Sequence, residues 1–252
     1  MSWQLHQDAL FRLAAFLPAG VSGRLLSSAD AEVLAGLRLE VVTRQLADPN
    51  CYRLEAESPD FPASHLGEAG PGEKGVIAGL FDPARVLIGY AALTLPRPGE
   101  YSRADLLDLP ADQRHLVAYL ASAMVRADWQ NHGLHHALVE WRLILAGALG
   151  RRHAVSAVWP GNHQSWGHLV AHGLRGKKLA RVEKGLLRLV LHRDLAAPAP
   201  LPDPSSLQVI PLALLADQMA LFDGGYWLWR RLRQPEGIQA ELARPLREEG
   251  ES

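Results

Sequence analysis

Apolar residues recur along the chain with two periods, and the switches between them lay out its elements. Residues 3–17 place Trp3, Leu10, Leu13, Ala14 and Leu17 on one helical face ending at Leu17-Pro18-Ala19-Gly20. Such a face suits a helix docked on the domain or on a second copy, and it has too few flanking cations for a membrane-surface helix. Residues 21–27 predict a first strand. Asp30 predicts an N-cap for a helix carrying Val33, Leu34, Leu37, Val41 and Leu46, stopped at Asp48-Pro49-Asn50. Residues 57–75, rich in Pro, Gly, Ser and acids, predict a long loop whose Glu57, Asp60, Glu68 and Glu73 could attract a cationic amine. Residues 76–81 and 85–95 flank Asp82-Pro83-Ala84 and predict a hairpin. Gly89 inside its second strand marks a bulge or a close backbone approach. Residues 96–110 predict another loop, with Tyr101, Arg103 and Asp105 as its polar candidates.

The middle of the chain is organised around residues 124–138. An apolar run over 115–125 predicts a strand, a polar turn holds Gly133, and Leu134, Leu138, Trp141, Leu145 and Leu149 then recur at helical spacing. A strand, glycine turn and helix in series point backbone N–H groups and a helix dipole at one place, which favours a phosphate. The three glycines of a dinucleotide site and the Gly-Lys-Ser/Thr of a P-loop are not written here. Gly150 supplies a helix stop, with Arg151 and Arg152 complementing its negative end. Residues 153–159 read as a buried parallel strand, Asn162 as the cap of another helix, and residues 179–182 and 186–192 as two strands turning at Glu183-Lys184-Gly185.

From Val125 onward the sequence resembles the acyl-CoA pyrophosphate motif of the GCN5-related N-acetyltransferases. In that motif a strand ends in Val and a loop Gln/Arg-x-x-Gly-x-Gly/Ala follows; Gln130, Gly133 and His135 occupy its places. The resemblance continues where the family's next strand leads to an Asn opening a helix, through Pro160, Gly161, Asn162, Ser165, Gly173 and Leu174. It implies an α/β (α+β) fold with a mixed, mostly antiparallel central sheet flanked by helices and splayed at the acyl-CoA site. It implies acetyl-CoA as co-substrate, held by Ala123, Met124 and Val125 on the strand, by Gln130, Asn131, His132, Gly133, Leu134 and His135 at the turn, and by Asn162 and Ser165 on the far side. The first helix and the segment after it would wall the acceptor pocket. His135 departs from the family, which usually has Gly or Ala there.

Acetyl transfer from a thioester to an amine needs oriented donors for the pyrophosphate, a donor for the developing oxyanion, a neutral amine and a proton for the leaving thiolate. Many members place a tyrosine seven residues after the Asn; here that residue is Leu169. The family's frequent strand glutamate is also missing, since residues 114–125 contain no carboxylate. Tyr119, Ser122 and His168 are the polar candidates for catalysis, and a chain of waters could serve instead. His132, His135 and His136 can share one helix turn, and His168 and His172 stand four apart. No cysteine or acid completes either set, so no metal site is expected.

The 252 residues, 48% of them hydrophobic, allow one full core and an added small unit. A net charge of -1 offers no basic field for nucleic acid. The lone cysteine rules out an internal disulfide framework, and no apolar run reaches the roughly 20 residues of a membrane span. No signal peptide is read, and a cytoplasmic location is the expectation. The organisation expected is an N-terminal helix over 1–20, an acetyltransferase domain over 21–195, and a Pro-rich linker with a helical and aromatic extension over 196–252. In that extension an apolar stretch at 212–222 reads as helix. The run Tyr226-Trp227-Leu228-Trp229-Arg230-Arg231 suits a segment packed on its own domain, with a partner, a homodimer surface or nucleic acid as the other readings. The function expected is acetyl-CoA-dependent N-acetylation of a primary amine on a small molecule or peptide. The alternative is a regulatory acyl-CoA-binding protein of the same fold.

Overall fold

The computed structural model describes residues 15–45, 60–97, 99–100, 103–182 and 185–246. Of the helix expected over residues 3–17, residues 3–14 lie outside them, as do Leu46, Glu57, Tyr101 and the 183–184 turn, and Ala15, Phe16 and Leu17 form a turn and bend, not a helix. The architecture is mixed α/β. Its strands are β1 (Ser22–Leu25), a two-residue ladder of β2 (Leu66–Gly67) and β3 (Gly70–Pro71), β4 (Gly75–Phe81), β5 (Leu87–Thr94), β6 (Val117–Val125), β7 (His153–Val158), β8 (Arg175–Arg181), β9 (Leu187–Asp194), β10 (Gln208–Pro211), β11 (Trp227–Gln234) and β12 (Gly237–Ala243). Its helices are α1 (Ala31–Gln45), α2 (Leu134–Ala148), α3 (His163–Ala171) and the short α4 (Met219–Asp223). Among the described residues ten strands form one sheet in the order β1-β4-β5-β6-β7-β9-β8-β11-β12-β10, and every neighbouring pair is antiparallel except β6 and β7.

The pleat of the central strands feeds two cores. Ile88, Ala91 and Leu93 of β5 with Ala118, Leu120 and Val125 of β6 lie under α2, which buries Leu134, Leu138, Trp141 and Leu145 at helical spacing. Leu87, Tyr90 and Ala92 of β5 and Met124 of β6 turn to the other face and pack against Leu34, Leu37 and Val41 of α1. The sheet is thus covered by α1 on one side and by α2 and α3 on the other.

Several local expectations are corrected. Asp30 is not the cap of α1. It closes a 3-10 turn, Ser28–Asp30, that runs into the helix, and its carboxylate accepts the Ser27 backbone N–H at 2.9 Å while pairing with Arg24 at 2.6 Å. Val33, expected on the buried face, is exposed, because Leu34 and Leu37 set that face. His115 and Leu116 belong to a 3-10 turn, Ala111–Leu116, and not to the strand that follows. The 60–75 segment is built, with a 3-10 turn and the β2–β3 ladder.

Beyond residue 206 the stretch expected to be one helix is a 3-10 turn, Leu212–Asp217, followed by five residues of α4. The aromatic run is strand β11, paired with β12 and joined to β8 at Leu228↔Gly176. A register shift between Leu228 and Arg230 makes Trp229 the extra residue of a bulge, so two successive apolar side chains, Leu228 and Trp229, are both buried. The Trp229 indole N–H donates to the Ala243 carbonyl at 2.8 Å, and Arg230 pairs with Glu241 at 2.7 Å. The missed cue is Pro235-Glu236-Gly237, a hairpin-turn signature between two strand-forming runs.

Candidate functional site

The site begins where the sheet comes apart. β6 and β7 pair only through Val117↔His153, Ala118↔Ala154 and Tyr119↔Val155. Past Tyr119 they diverge while β6 keeps its pairing with β5. Between Leu93↔Leu120 and Ala91↔Ala123, β6 carries two residues, Ala121 and Ser122, against the single Ala92 of β5. That is a bulge. Ala121, Ser122 and Ala123 are half-exposed in a strand whose Leu120, Met124 and Val125 are buried, so the parting opens a slot in the middle of the sheet.

Buried polar groups hold this bulge from three directions. From β7, the Ser156 hydroxyl donates to the Leu120 carbonyl at 2.9 Å, standing in for the lost ladder bond. From α2, the buried Arg142 guanidinium donates to the Ala121 carbonyl at 3.1 Å and to the Leu138 carbonyl at 3.1 Å. Burial draws Arg142 down to about 9, which leaves it charged at neutral pH. A trans peptide carries its N–H opposite its C=O, so fixing the Ala121 carbonyl turns the Ser122 N–H away from Arg142. On the α1 side the Ser122 hydroxyl lies 2.7 Å from the Tyr90 hydroxyl, to which Arg38 Nε donates at 3.1 Å. Burial pushes the Tyr90 phenol up. Arg38, itself buried, also covers the Phe61 ring at 4.9 Å. Sequence reasoning missed Arg38, Tyr90, Arg142 and Ser156; a polar residue at an apolar period of helix or strand was their signal.

The slot leads to the turn. After Val125 a 3-10 turn, Ala127–Trp129, is tied by the Arg126–Asp128 pair at 2.7 Å. Asn131 and Gly133 then take positive φ of 63° and 77°. The first intrahelical bond of α2 runs from Ala137 N–H to Gly133 O at 3.1 Å, so the N–H groups of Leu134, His135 and His136 precede the helix ladder. Gly133 and His132 are exposed, and a ring nitrogen of His132 donates to the Gln130 carbonyl at 2.8 Å. The Met124, Val125 and Leu134 side chains are buried, so only their main chain can face a ligand.

His135 turns toward α3, where its Nδ1 meets His168 Nδ1 at 2.9 Å. That side chain therefore does not fill the space over the turn. The seam between α2 and α3 is lined by imidazoles. His136 packs against His168 with centroids 4.2 Å apart and ring planes tilted by 54°, and meets His172 at 3.1 Å, and His172 pairs with Glu140 at 2.9 Å. Burial holds His168 down to about 4 and His135 well below the usual imidazole range. Among the described residues no group of three or more His, Cys, Asp or Glu is arranged to hold a metal ion.

The three candidate catalytic residues do not converge. Ser122 and Tyr119 lie on the α1 side of β6, Tyr119 beside Ala104, Leu107 and Val155, whereas His168 is committed to the α2–α3 seam on the other face. Leu169, at the place of the resembled family's tyrosine, is core. The Asn162 side-chain Oδ1 accepts the Ser165 N–H at 3.1 Å and so caps α3. In the acidic loop Asp60 pairs with Lys74 at 2.9 Å and Glu73 with Arg97 at 2.8 Å. Those pairs neutralise much of the charge that could draw a cation.

No protein-family model matches the chain, and no curated protein matches it in sequence. Solved structures do match in fold. A GCN5-related N-acetyltransferase from Kribbella flavida is 22% identical, with a TM-score of 0.51 over 70% of this chain and 99% of that one. Arabidopsis thaliana NAA60, solved in complex with acetyl-CoA, is 14% identical, with a TM-score of 0.51 over 70% of this chain and 99% of that one. The chain has the fold of the GCN5-related N-acetyltransferases.

Proposed function

We propose that the protein is an N-acyltransferase that moves the acetyl group of acetyl-CoA directly to a primary amine of a small molecule or peptide. The observation that carries this reading is the half-exposed bulge at the parting of β6 and β7, continuous with a positive-φ turn and the unladdered N–H groups of α2. A diphosphate suits that turn, held by main-chain N–H groups from Asn131 to His135 with Gln130 at its opening. An acyl arm then has the main chain of Ala123, Met124 and Val125 to run along. The thioester carbonyl meets the bulge, where fixed donors can stabilise an oxyanion. On this reading Asn162 and Ser165, at the start of α3, would touch the far side of the cofactor.

The amine must lose a proton, which for a lysine-like group costs roughly 4.6 kcal/mol at pH 7. Holding amine and thioester in one slot supplies on the order of 7–11 kcal/mol, enough to offset that cost. The reading is tested by calorimetric titration of CoA and by release of free CoA from acetyl-CoA in the presence of primary amines. Saturable binding with amine-dependent release is expected.

A second reading has its own observation: Leu169 is buried in the core, so no acid comes from that position. A regulatory acyl-CoA-binding protein would bind CoA and release none with any amine.

A further inference from the structure

Strand β11 carries three arginines in its second half, and the pleat sorts them. Arg230 lies opposite Glu241 in the ladder and pairs with it at 2.7 Å. Arg231 and Arg233, two residues apart, share the other face of the strand, the one turned to α3. Arg231 runs along that helix. Its Nη1 donates to the His163 carbonyl at 3.1 Å, and a Cβ added at Gly167 would stand 2.9 Å from its Cζ, so the glycine is what lets the guanidinium lie there. Arg233 is exposed. Among the described residues neither arginine pairs with a carboxylate. Their neighbours are imidazoles. Burial is the first cause of the lowered His163 and His168, and Arg231 and Arg233 both add to it; Arg231 also acts on His136, in the first turn of α2. Glu140, the acid described in this seam, is taken by His172 at 2.9 Å. Two adjacent guanidiniums without a counter-charge repel each other and the imidazoles that protonate beside them, and an anion set between them relieves that repulsion.

Position selects the anion. His136 follows directly on the turn, residues 131–135, that suits the diphosphate, so the arginines stand beside that turn across the α2–α3 seam. In coenzyme A a single ribose separates the diphosphate from a phosphate monoester on its 3′ oxygen. We propose that Arg231 and Arg233, supplied by the β11–β12 hairpin, hold this 3′-phosphate and make the protein distinguish CoA from its 3′-dephospho form. The inference rests on the reading of an acyl-CoA bound at the turn. A phosphate monoester brings a charge of about −1.5 to −2 and three acceptor oxygens at neutral pH. Arg231 spends one of its five N–H groups on the His163 carbonyl, which fixes its plane and leaves the other edge for the ligand. Arg233 adds a second fork from the solvent side, and the planar fork is the geometry that matches phosphate. The hairpin lies outside residues 125–174, over which the sequence resembles the acetyltransferase motifs, so these arginines belong to the extension of this chain and not to that pattern.

The test is calorimetric titration of the full chain with CoA and with 3′-dephospho-CoA at low salt. The wild type should bind CoA at least about tenfold more tightly, the worth of one charge-assisted hydrogen bond. Arg233→Gln should narrow that ratio to about threefold, and Arg231→Gln with Arg233→Gln should bring it near one while 3′-dephospho-CoA binds within about twofold of its wild-type affinity. Added salt should narrow the wild-type ratio and leave that of the double variant unchanged. Equal wild-type affinities for the two ligands, or a ratio that survives in the double variant, overturn the proposal while the CoA site stands. Equal loss of both ligands in the double variant also overturns it, because Arg231 would then serve to hold the hairpin on α3 and not to read a phosphate. If Arg231→Gln does not fold, the exposed Arg233→Gln decides alone: a narrowed ratio supports the proposal and an unchanged one overturns it. A wild-type chain that binds neither ligand removes the CoA site and this inference together.

Discussion

Gly133 carries more of the proposed cofactor site than its size suggests. Its φ of 77° is one that a side chain adopts at a cost, yet a Cβ placed there meets nothing within 4 Å. Substitution therefore strains the backbone by about 1–2 kcal/mol without a clash inside the protein. Gly133→Val should weaken CoA binding by at least about tenfold, 1.4 kcal/mol, while the melting temperature falls by only a few degrees. Calorimetry showing unchanged affinity would remove this turn from the site. The glycine was legible in the sequence because one non-helical residue before a helical period is a local signal. The direction of His135 was not legible, since it depends on a helix 33 residues further on.

Among the elements, the α2–α3 seam should make stability depend on pH. Of His135, His136, His168 and His172, His172 is the one paired with an acid, Glu140, among the described residues, while Arg142 acts on His135 and Arg231 and Arg233 on His168. His168 is held down to about 4, and outside the seam His65 and the buried His192 are held down to about 4 and about 3, by burial first in each case. In the unfolded chain these imidazoles titrate near about 6.5. Between that value and the lower folded values the unfolded chain binds more protons, so these histidines make stability fall as pH drops from about 6.5 toward 4. Melting temperatures at pH 7.5 and pH 5 should differ, with the lower value at pH 5, and His168→Gln should shrink the difference. Equal temperatures would contradict the seam as described. Asp30, pulled to about 2 chiefly by Arg24, acts in the same sense but only at more acid pH.

At the scale of the whole molecule, β10 to β12 lengthen the sheet and seal its end. Leu228 lies against Gly176, where an added Cβ would come within 3.0 Å, and Leu215, Phe222, Leu228 and Leu242 belong to the main core. A chain ending at Ser206 should melt at a markedly lower temperature or associate in solution, read by calorimetry and light scattering. Trp229→Ala alone should cost about 3–5 kcal/mol, the usual range for a large core aromatic. A truncated chain with unaltered melting and mass would show that these strands stabilise nothing.

What the sequence determined by itself were the features written in neighbouring residues. The β4–β5 hairpin around Asp82-Pro83-Ala84, the strand, turn and helix from β6 to α2, the Asn162 cap and the glycine at position 89 all arise from periods, turn chemistry and one close approach, since a Cβ at Gly89 would stand 3.1 Å from the Met124 carbonyl. Tertiary structure alone decided the rest. The aromatic run became a strand because β12 and β8 offered it ladder partners, and strand preference depends on such partners more than on the residue. The bulge is held by Ser156, Arg142 and Tyr90 from three separate elements, and Asp60 and Glu73 lost their call on a cation to Lys74 and Arg97. A buried polar group is intelligible only with its partner, and the partners here stand up to 52 residues away.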